Sequence, residues 1–268
     1  MAAITTTRAV FPLRWLLVRG YPFVLILLVW DRFSAIGLFG GPLTMPSPGQ
    51  VLDSATQMFL SGELLRLLGI TLRSVLVSCL IAVVVGVPLG LLIGRVRLVS
   101  LCLRPLVSLM FPVPKIALYP AMLTVFGLGV GSKIALGTAE ALFPILIGSA
   151  AAASQIDDRL QWSALALGTG RARCLTKVIL PAAMPGILTG ARIGLIGAII
   201  GVFLGEMMAG SGGLGEMTMT SYQTLRTADM YTGIVAISIT GFVVDRAFLM
   251  ARRRALAWND AEDFASKS

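Results

Sequence analysis

Apolar residues in this chain come in long runs, at roughly 16–36, 68–94, 104–126, 133–152, 187–208 and 229–251. Each run approaches or exceeds the ~20 residues that a helix needs to cross a bilayer. None shows the two-residue alternation over ~10 residues that marks a barrel strand. The pattern predicts an all-α integral membrane protein with about six transmembrane helices and short loops. Pro88 interrupts the second run, and Pro105, Pro112, Pro114 and Pro120 punctuate the third. Prolines are tolerated in spans where neighbours or water satisfy the freed carbonyls. The third element is therefore either a bent helix or a kinked one that lines a cavity.

The polar stretches are equally structured. In 42–66, a Pro-Ser cluster precedes Val51, Ala55, Met58 and Phe59 at helical spacing, which predicts a short amphipathic helix on the outer surface. Residues 209–226 carry a glycine-rich turn, Gly-Ser-Gly-Gly-Leu-Gly-Glu, and also read as external. In 154–186, Ile156, Leu160, Ala164 and Leu167 form an apolar stripe, Gly168 to Gly170 breaks the helix, and a second short helix runs to Leu180, where Pro181 stops it. Such a helix-Gly-helix elbow outside the lipid is either a handle for a cytoplasmic partner or an ordinary interfacial helix. The organisation expected is an N-terminal segment with the first span over 1–44, a transmembrane body over 45–255 and a polar tail over 256–268. The first run lacks a small-residue cleavage pattern and is read as a retained span.

Composition agrees with the pattern. Charged residues make up 13% of the 268 residues, against about 25% in soluble domains. The net charge of +9 is explained by position rather than by nucleic acid. Arg8, Arg14, Arg19, Arg95, Arg97, Arg104, Arg159, Arg171, Arg173, Lys177, Arg252, Arg253, Arg254 and Lys267 fall on one side of a six-span arrangement. Only Arg66, Arg73, Lys133 and Arg226 fall on the other. By the positive-inside rule both termini are cytoplasmic. Cys79, Cys102 and Cys174 are unclustered and histidine is absent, so the sequence offers no disulfide framework and no metal site.

Two runs carry glycine ladders. Gly86, Gly90 and Gly94 are spaced by four, as are Gly186, Gly190 and Gly194, with Gly197, Gly201 and Gly205 continuing the second stripe. These spacings hold the glycines on one helix face, where another backbone approaches closely. Static packing and a sliding surface between moving helices both fit. Ionisable groups read within the runs are Lys115, Glu140, Glu206 and Asp245, with Asp31 and Arg32 near one end. Charges at membrane depth mark pathways by default. Lys115, Glu140 and Glu206 are thus the candidate translocation residues. Lys115 either attracts an anion or pairs with Glu140 or Glu206. No catalytic set appears, and the nearest phosphate-loop string, Gly127 to Lys133, has Ser between its last Gly and the Lys. The chain is not expected to be an enzyme or to bind ATP by itself.

Ala164, Gly168, and then Val178-Ile179-Leu180-Pro181 after nine residues resemble the cytoplasmic signature loop of ATP-binding-cassette importer permeases, which reads Glu-Ala-Ala, three residues, Gly, nine residues, Ile-x-Leu-Pro. Trp162 stands where that loop has its acid, and Ser163 replaces the first Ala. Pro46-Ser47-Pro48, Pro88-Leu89-Gly90, Phe111 to Pro120, Phe126 to Gly129, Phe143-Pro144-Ile145 and Pro181 to Gly190 are similar to the nitrate/sulfonate/taurine branch, over roughly 45–255. Glu140 stands where the branch has a small residue. The resemblance implies a permease subunit in the bacterial inner membrane, forming the pathway for a small solute. Lys115 tilts the solute toward an anion such as a sulfonate, taurine or nitrate, with a vitamin precursor as the alternative. It also implies a coupling helix between spans 4 and 5, coupled to the ATPase through Trp162, Ala164, Leu165, Gly168, Thr169, Arg171, Leu180 and Pro181. The implied partners are a second permease copy, two cytoplasmic ATPase subunits that hold ATP and Mg, and an external solute-binding protein.

Overall fold

The computed structural model describes residues 10–37 and 44–257, in which every regular element is helical. Residues 1–9, 38–43 and 258–268 lie outside the described residues, and with them Arg8, Lys267 and most of the expected tail. Helix α1 spans Val10–Ile36, α2 Pro48–Leu60, α3 Glu63–Arg95 and α4 Arg97–Met110. A short 3-10 turn, Lys115–Leu118, leads into α5, Tyr119–Phe126. Then come α6, Val130–Ser154, and α7, Asp158–Ala166. Helix α8, Arg171–Cys174, passes through a π-turn, Leu175–Ile179, into α9, Leu180–Ala209. Helices α10, Leu214–Gln223, and α11, Thr227–Ala255, complete the fold. Among the described residues, α3, α6, 172–209 and α11 are each long and apolar enough to cross a membrane. The pair α4 and α5 makes a fifth span if taken together, bent by 90°. Helix α1, 27 residues long, corresponds to the first of the six expected runs.

The 90° break is the strong form of the predicted kink. It falls at 111–114, where Pro112 and Pro114 each lack the N–H that would continue the helical ladder. Pro105 stays inside α4, and Pro120 sits in the first turn of α5, where its missing N–H costs no hydrogen bond.

Pro181 does not stop a helix, contrary to the expectation from sequence. The helix continues from 172 to 209. The π-turn supplies the reason: Leu180 N–H donates to Leu175 O, five residues back, so the ladder has widened before the proline arrives. A π-bulge reorganises the ladder where a residue cannot take part in it.

Helix α6 lies between α3 and α9, and the glycine ladders set how close the three come. A Cβ on Gly90 would lie 2.6 Å from Leu146 O, and one on Gly94 2.6 Å from Ala150 O. On α9, a Cβ on Gly186 would lie 2.5 Å from Ala152 Cβ, one on Gly190 3.0 Å from Pro144 O, and one on Gly194 2.6 Å from Ile145 Cγ1. Gly86 is looser, at 3.0 Å from Ile145 Cγ2. The core between these helices holds Val75, Ala82, Ala141, Ile145, Leu195, Ala198 and Val202.

The predicted amphipathic helix is α2. Ser47 caps it, accepting from Gln50 N–H at 3.3 Å while Gln50 Oε1 accepts from Ser47 N–H at 2.9 Å. Its inward face is Val51 and Ser54 rather than Phe59, which is exposed. Ser54 Oγ donates to Asp229 at 2.5 Å, and Thr232 Oγ1 to Val51 O at 3.2 Å, fixing α2 to α11.

Candidate functional site

The elbow after α6 is built from local chemistry. Asp157 caps α7 by accepting from Arg159 N–H at 2.9 Å. The helix ends in a double bond pattern: Thr169 N–H donates to Ala164 O at 3.1 Å and Gly168 N–H to Leu165 O at 3.0 Å. That is the Schellman cap, which places its C′ residue in the left-handed region. Gly168 takes that place at φ +83°, with nothing within 4 Å of where a Cβ would be. Its glycine is required by backbone conformation, not by a close neighbour.

The predicted apolar stripe divides. Ile156 and Ala164 pack inward with Leu165 against Leu91, Cys174 and Ile179. Leu160 and Leu167 face outward, Leu167 at 87% exposure because it lies beyond the last helical turn. Trp162 is also outward, at 65%. Of the other predicted coupling residues, Thr169 and Leu180 are half-buried and Pro181 is exposed. The Arg171 side chain lies outside the described residues.

One contact of the elbow has no signal in the sequence. Arg95, the last residue of α3, donates through Nη1 to Asp158 at 2.7 Å and through Nη2 to Ile156 O at 2.7 Å. Its side chain is 8% exposed. Sequence reading took Arg95 only as a topology marker. Beside it opens a cleft of about 630 Å³ whose lining includes Leu92, Arg95, Trp162, Leu165 and Leu175.

At the opposite end of α6 lies a buried charge cluster. Lys133 Nζ donates to Glu206 Oε1 at 3.0 Å, to Ser211 O at 3.2 Å and to Gly212 O at 2.9 Å. Glu206 Oε2 accepts from Thr71 Oγ1 at 2.9 Å and from Gly215 N–H at 3.1 Å. Thr71 Oγ1 in turn accepts from Leu214 N–H at 3.0 Å. Gly213, at φ +111°, leaves the space of its missing side chain to the Glu206 carboxylate. Tyr119 adds a bond from its hydroxyl to Gly205 O at 2.8 Å. Lys133 and Glu206 are both fully buried. Two expectations change. Lys133 is not an external loop charge, because α6 begins three residues before it and carries it inward. Glu206 does not face a pathway, because its carboxylate is enclosed and hydrogen-bonded on both oxygens.

Lys115 pairs with neither Glu140 nor Glu206. Its Nζ donates to Phe111 O at 2.9 Å and lies 5.3 and 5.2 Å from the Phe111 and Phe143 ring centroids. The break at 111–114 turns the chain by 90°, so the lysine caps the end of α4 under two aromatic faces. Glu140 is half-buried on α6, beside the Gly197 and Gly201 stripe, and is in none of the ion pairs among the described residues. Asp245 has a partner the sequence reading missed: Arg192, through Nε at 2.6 Å and Nη2 at 2.9 Å. A signal existed, since an Arg within one run and an Asp within another are expected to pair at membrane depth.

Comparison with known proteins agrees with this geometry. Residues 86–255 match the model of the family described as binding-protein-dependent transport system inner membrane component. The taurine transport system permease protein TauC of Escherichia coli is 32% identical over 239 residues, covering 87% of this chain and 86% of TauC. The putative aliphatic sulfonates transport permease protein SsuC of Bacillus subtilis is 29% identical, covering 88% of this chain and 85% of SsuC. Among solved structures, an inward-facing MetNI methionine ABC transporter superposes with a TM-score of 0.61 at 25% identity, over 72% of this chain and 95% of that one.

Proposed function

The chain belongs to the family of binding-protein-dependent transport system inner membrane components, and from that premise we propose that it is the permease subunit of an ATP-driven importer for a small anion of the sulfonate, taurine or nitrate kind. The observation that carries the reading is the elbow at 157–169. It is a capped helix with a glycine-dependent turn, set beyond the end of a long apolar helix and bearing the signature-loop residues. The similarity to taurine and sulfonate permeases supports the solute class. The partners proposed are a second copy of the chain, two ATPase subunits that bind ATP and Mg, and an external binding protein. Both termini are proposed to lie in the cytoplasm, following the Lys and Arg bias, and 45–255 is proposed as the permease unit.

In this reading the elbow is the lever. Closure of the ATPases moves α7, and two connections carry the motion inward. Ala164 and Leu165 press on Cys174 and Ile179, at the start of the long helix that becomes α9. Arg95 joins Asp158 to the end of α3. Helices α3 and α9 both pack on α6 through glycine faces, so a push at the elbow is delivered to the whole core. We propose that Lys115 and Glu140, both half-buried, face the pathway. The coupling set proposed remains Trp162, Ala164, Leu165, Gly168, Thr169, Arg171, Leu180 and Pro181.

The test is co-purification of the chain with its ATPase, followed by uptake of labelled taurine or nitrate into vesicles with ATP and the binding protein. Capture of the ATPase and ATP-dependent uptake are expected. A folded chain that captures no ATPase overturns the reading. Uptake of a neutral vitamin precursor, and of no anion, overturns the solute class alone.

A further inference from the structure

We infer that Glu140 and Lys115 form a two-charge recognition site at the head of one groove, and that the solute it selects carries an ammonium group as well as an anionic one. The inference rests on the importer reading and narrows its solute class, because simple oxyanions and alkanesulfonates lack the second charge.

Glu140 is a charge that no partner in the chain accounts for. It lies ten residues beyond Val130, the start of α6, hence about 15 Å along that helix at ~1.5 Å per residue and near its middle. A carboxylate at that depth is costly unless a cation or water meets it. Glu140 is half-buried and is in none of the ion pairs among the described residues. On the same two helices, Lys133 is held by Glu206 and Arg192 by Asp245. The Lys115 ammonium meets the Phe111 carbonyl and two ring faces, which leaves its charge without a carboxylate.

Packing brings both charges to one groove. At about 3.6 residues per turn, Glu140 falls between two edges of α6. One edge meets α9, with Gly137 against Gly201 and Gly148 against Gly190, and a Cβ on Gly201 would lie 3.1 Å from Glu140 Cγ. The other edge carries Phe143, whose ring centroid is 5.2 Å from Lys115 Nζ. Pro144 and Ile147 continue the Glu140 face by one and two turns, and they line a groove of about 410 Å³ with Gly190 and Ile193 of α9. Phe111 lines it too, and Lys115 is bonded to the carbonyl of that phenylalanine. Apart from Thr189 and Gln155, which lie toward the elbow, the lining is apolar. The two charges at the other end are therefore the groups that tell one small solute from another.

Complementarity sets the chemistry. Lys115 attracts a sulfonate or carboxylate and Glu140 an ammonium, and charge-assisted hydrogen bonds of this kind are the strong ones. A solute with only an anionic group meets Lys115 but is repelled by the unpaired Glu140. A solute with both charges, such as an aminosulfonate or a β-amino acid, satisfies both and brings Glu140 its missing counter-ion. A direct Lys115–Glu140 pair would have closed this opening, and the structure holds the two apart.

The experiment measures solute binding to the assembled permease–ATPase complex in detergent, without the binding protein, so that the selectivity read is that of the membrane chain. Matched probes differ in the amine alone: taurine against ethanesulfonate, and β-alanine against propionate. In the wild type, the amine-bearing member of at least one pair is expected to bind about tenfold tighter, the scale of one charge-assisted hydrogen bond. Glu140→Gln should bring that ratio to about one by weakening the amine-bearing probe and not its match. Lys115→Met should weaken both members alike. Thermal melting and ATPase capture without solute separate recognition from a structural role, and Glu140→Gln is expected to match the wild type in both. No binding of any probe, a wild-type ratio near one, or a ratio unchanged in Glu140→Gln overturns the proposal. So does a Glu140→Gln complex that falls apart before solute is added, since the carboxylate would then serve assembly. A folded wild-type chain that captures no ATPase refutes the importer reading itself, a result distinct from all of these.

Discussion

Lys133 on α6 and Glu206 on α9 meet at 3.0 Å with both side chains wholly enclosed. Removing two charges from water costs several kcal/mol per ion, and the mutual attraction offsets this only when the remaining polar atoms are bonded. Here they are, because the turn 210–213 turns the Ser211 and Gly212 carbonyls toward the ammonium and the next helix offers Gly215 N–H to the carboxylate. The cluster joins α3, α6, α9 and α10 at one end of the bundle.

Lys133→Met should strand the Glu206 carboxylate and destabilise the chain by roughly 3–5 kcal/mol, the cost of breaking a buried pair from one side. Adding Glu206→Gln should recover much of that loss, since the amide oxygen still accepts from Thr71 or Gly215. Thermal melting of the single and double variants in detergent checks this. A single variant that melts like the wild type would remove the pair from the account of stability.

Lys115→Met should behave differently. The lysine bonds only a backbone carbonyl and two ring faces, so no carboxylate is stranded. Stability should change by less than about 1 kcal/mol. Uptake of an anionic solute should fall about tenfold, the scale of one charge-assisted hydrogen bond. Unchanged uptake, measured beside unchanged melting, would take Lys115 out of the pathway.

Two glycines should respond in opposite ways. A Cβ on Gly194 would lie 2.6 Å from Ile145 Cγ1 and 2.8 Å from Ala141 O, so Gly194→Leu forces α9 away from α6. No folded complex is expected on size-exclusion chromatography. Gly168→Ala meets nothing within 4 Å and carries only the strain of φ +83°, about 1–2 kcal/mol. Its melting temperature should fall by only a few degrees, leaving a folded complex in which ATP hydrolysis coupled to uptake declines.

Leu225 ends α10 in the same cap geometry as Gly168, at φ +57°, with Arg226 N–H donating to Ser221 O at 2.9 Å and Leu225 N–H to Tyr222 O at 3.2 Å. A leucine is strained there, and its side chain is 69% exposed, so little packing is lost on removal. Leu225→Gly should stabilise the chain by about 1 kcal/mol. Calorimetry or thermal melting decides it, and a lower melting temperature would show that the side chain contributes more than the strain costs.

The sequence by itself determined which segments are helices, that they belong in a membrane, where the elbow lies and which helix faces come close. These follow from composition and spacing: an apolar run needs a bilayer, glycines in steps of four share a face, and Gly168 lies where a helix must end in a left-handed residue. Only the tertiary structure decided which charge meets which. Arg95 finds Asp158, Arg192 finds Asp245, and Glu206 finds Lys133 rather than Lys115. It also decided that Pro181 rides on a π-turn instead of ending a helix, and that the third run bends by 90° at Pro112 and Pro114. The reason is physical. Periodicity along one helix fixes the direction in which a side chain points, but its partner lies on another helix, at a height and rotation set by how closely the glycine faces of α3, α6 and α9 can pack.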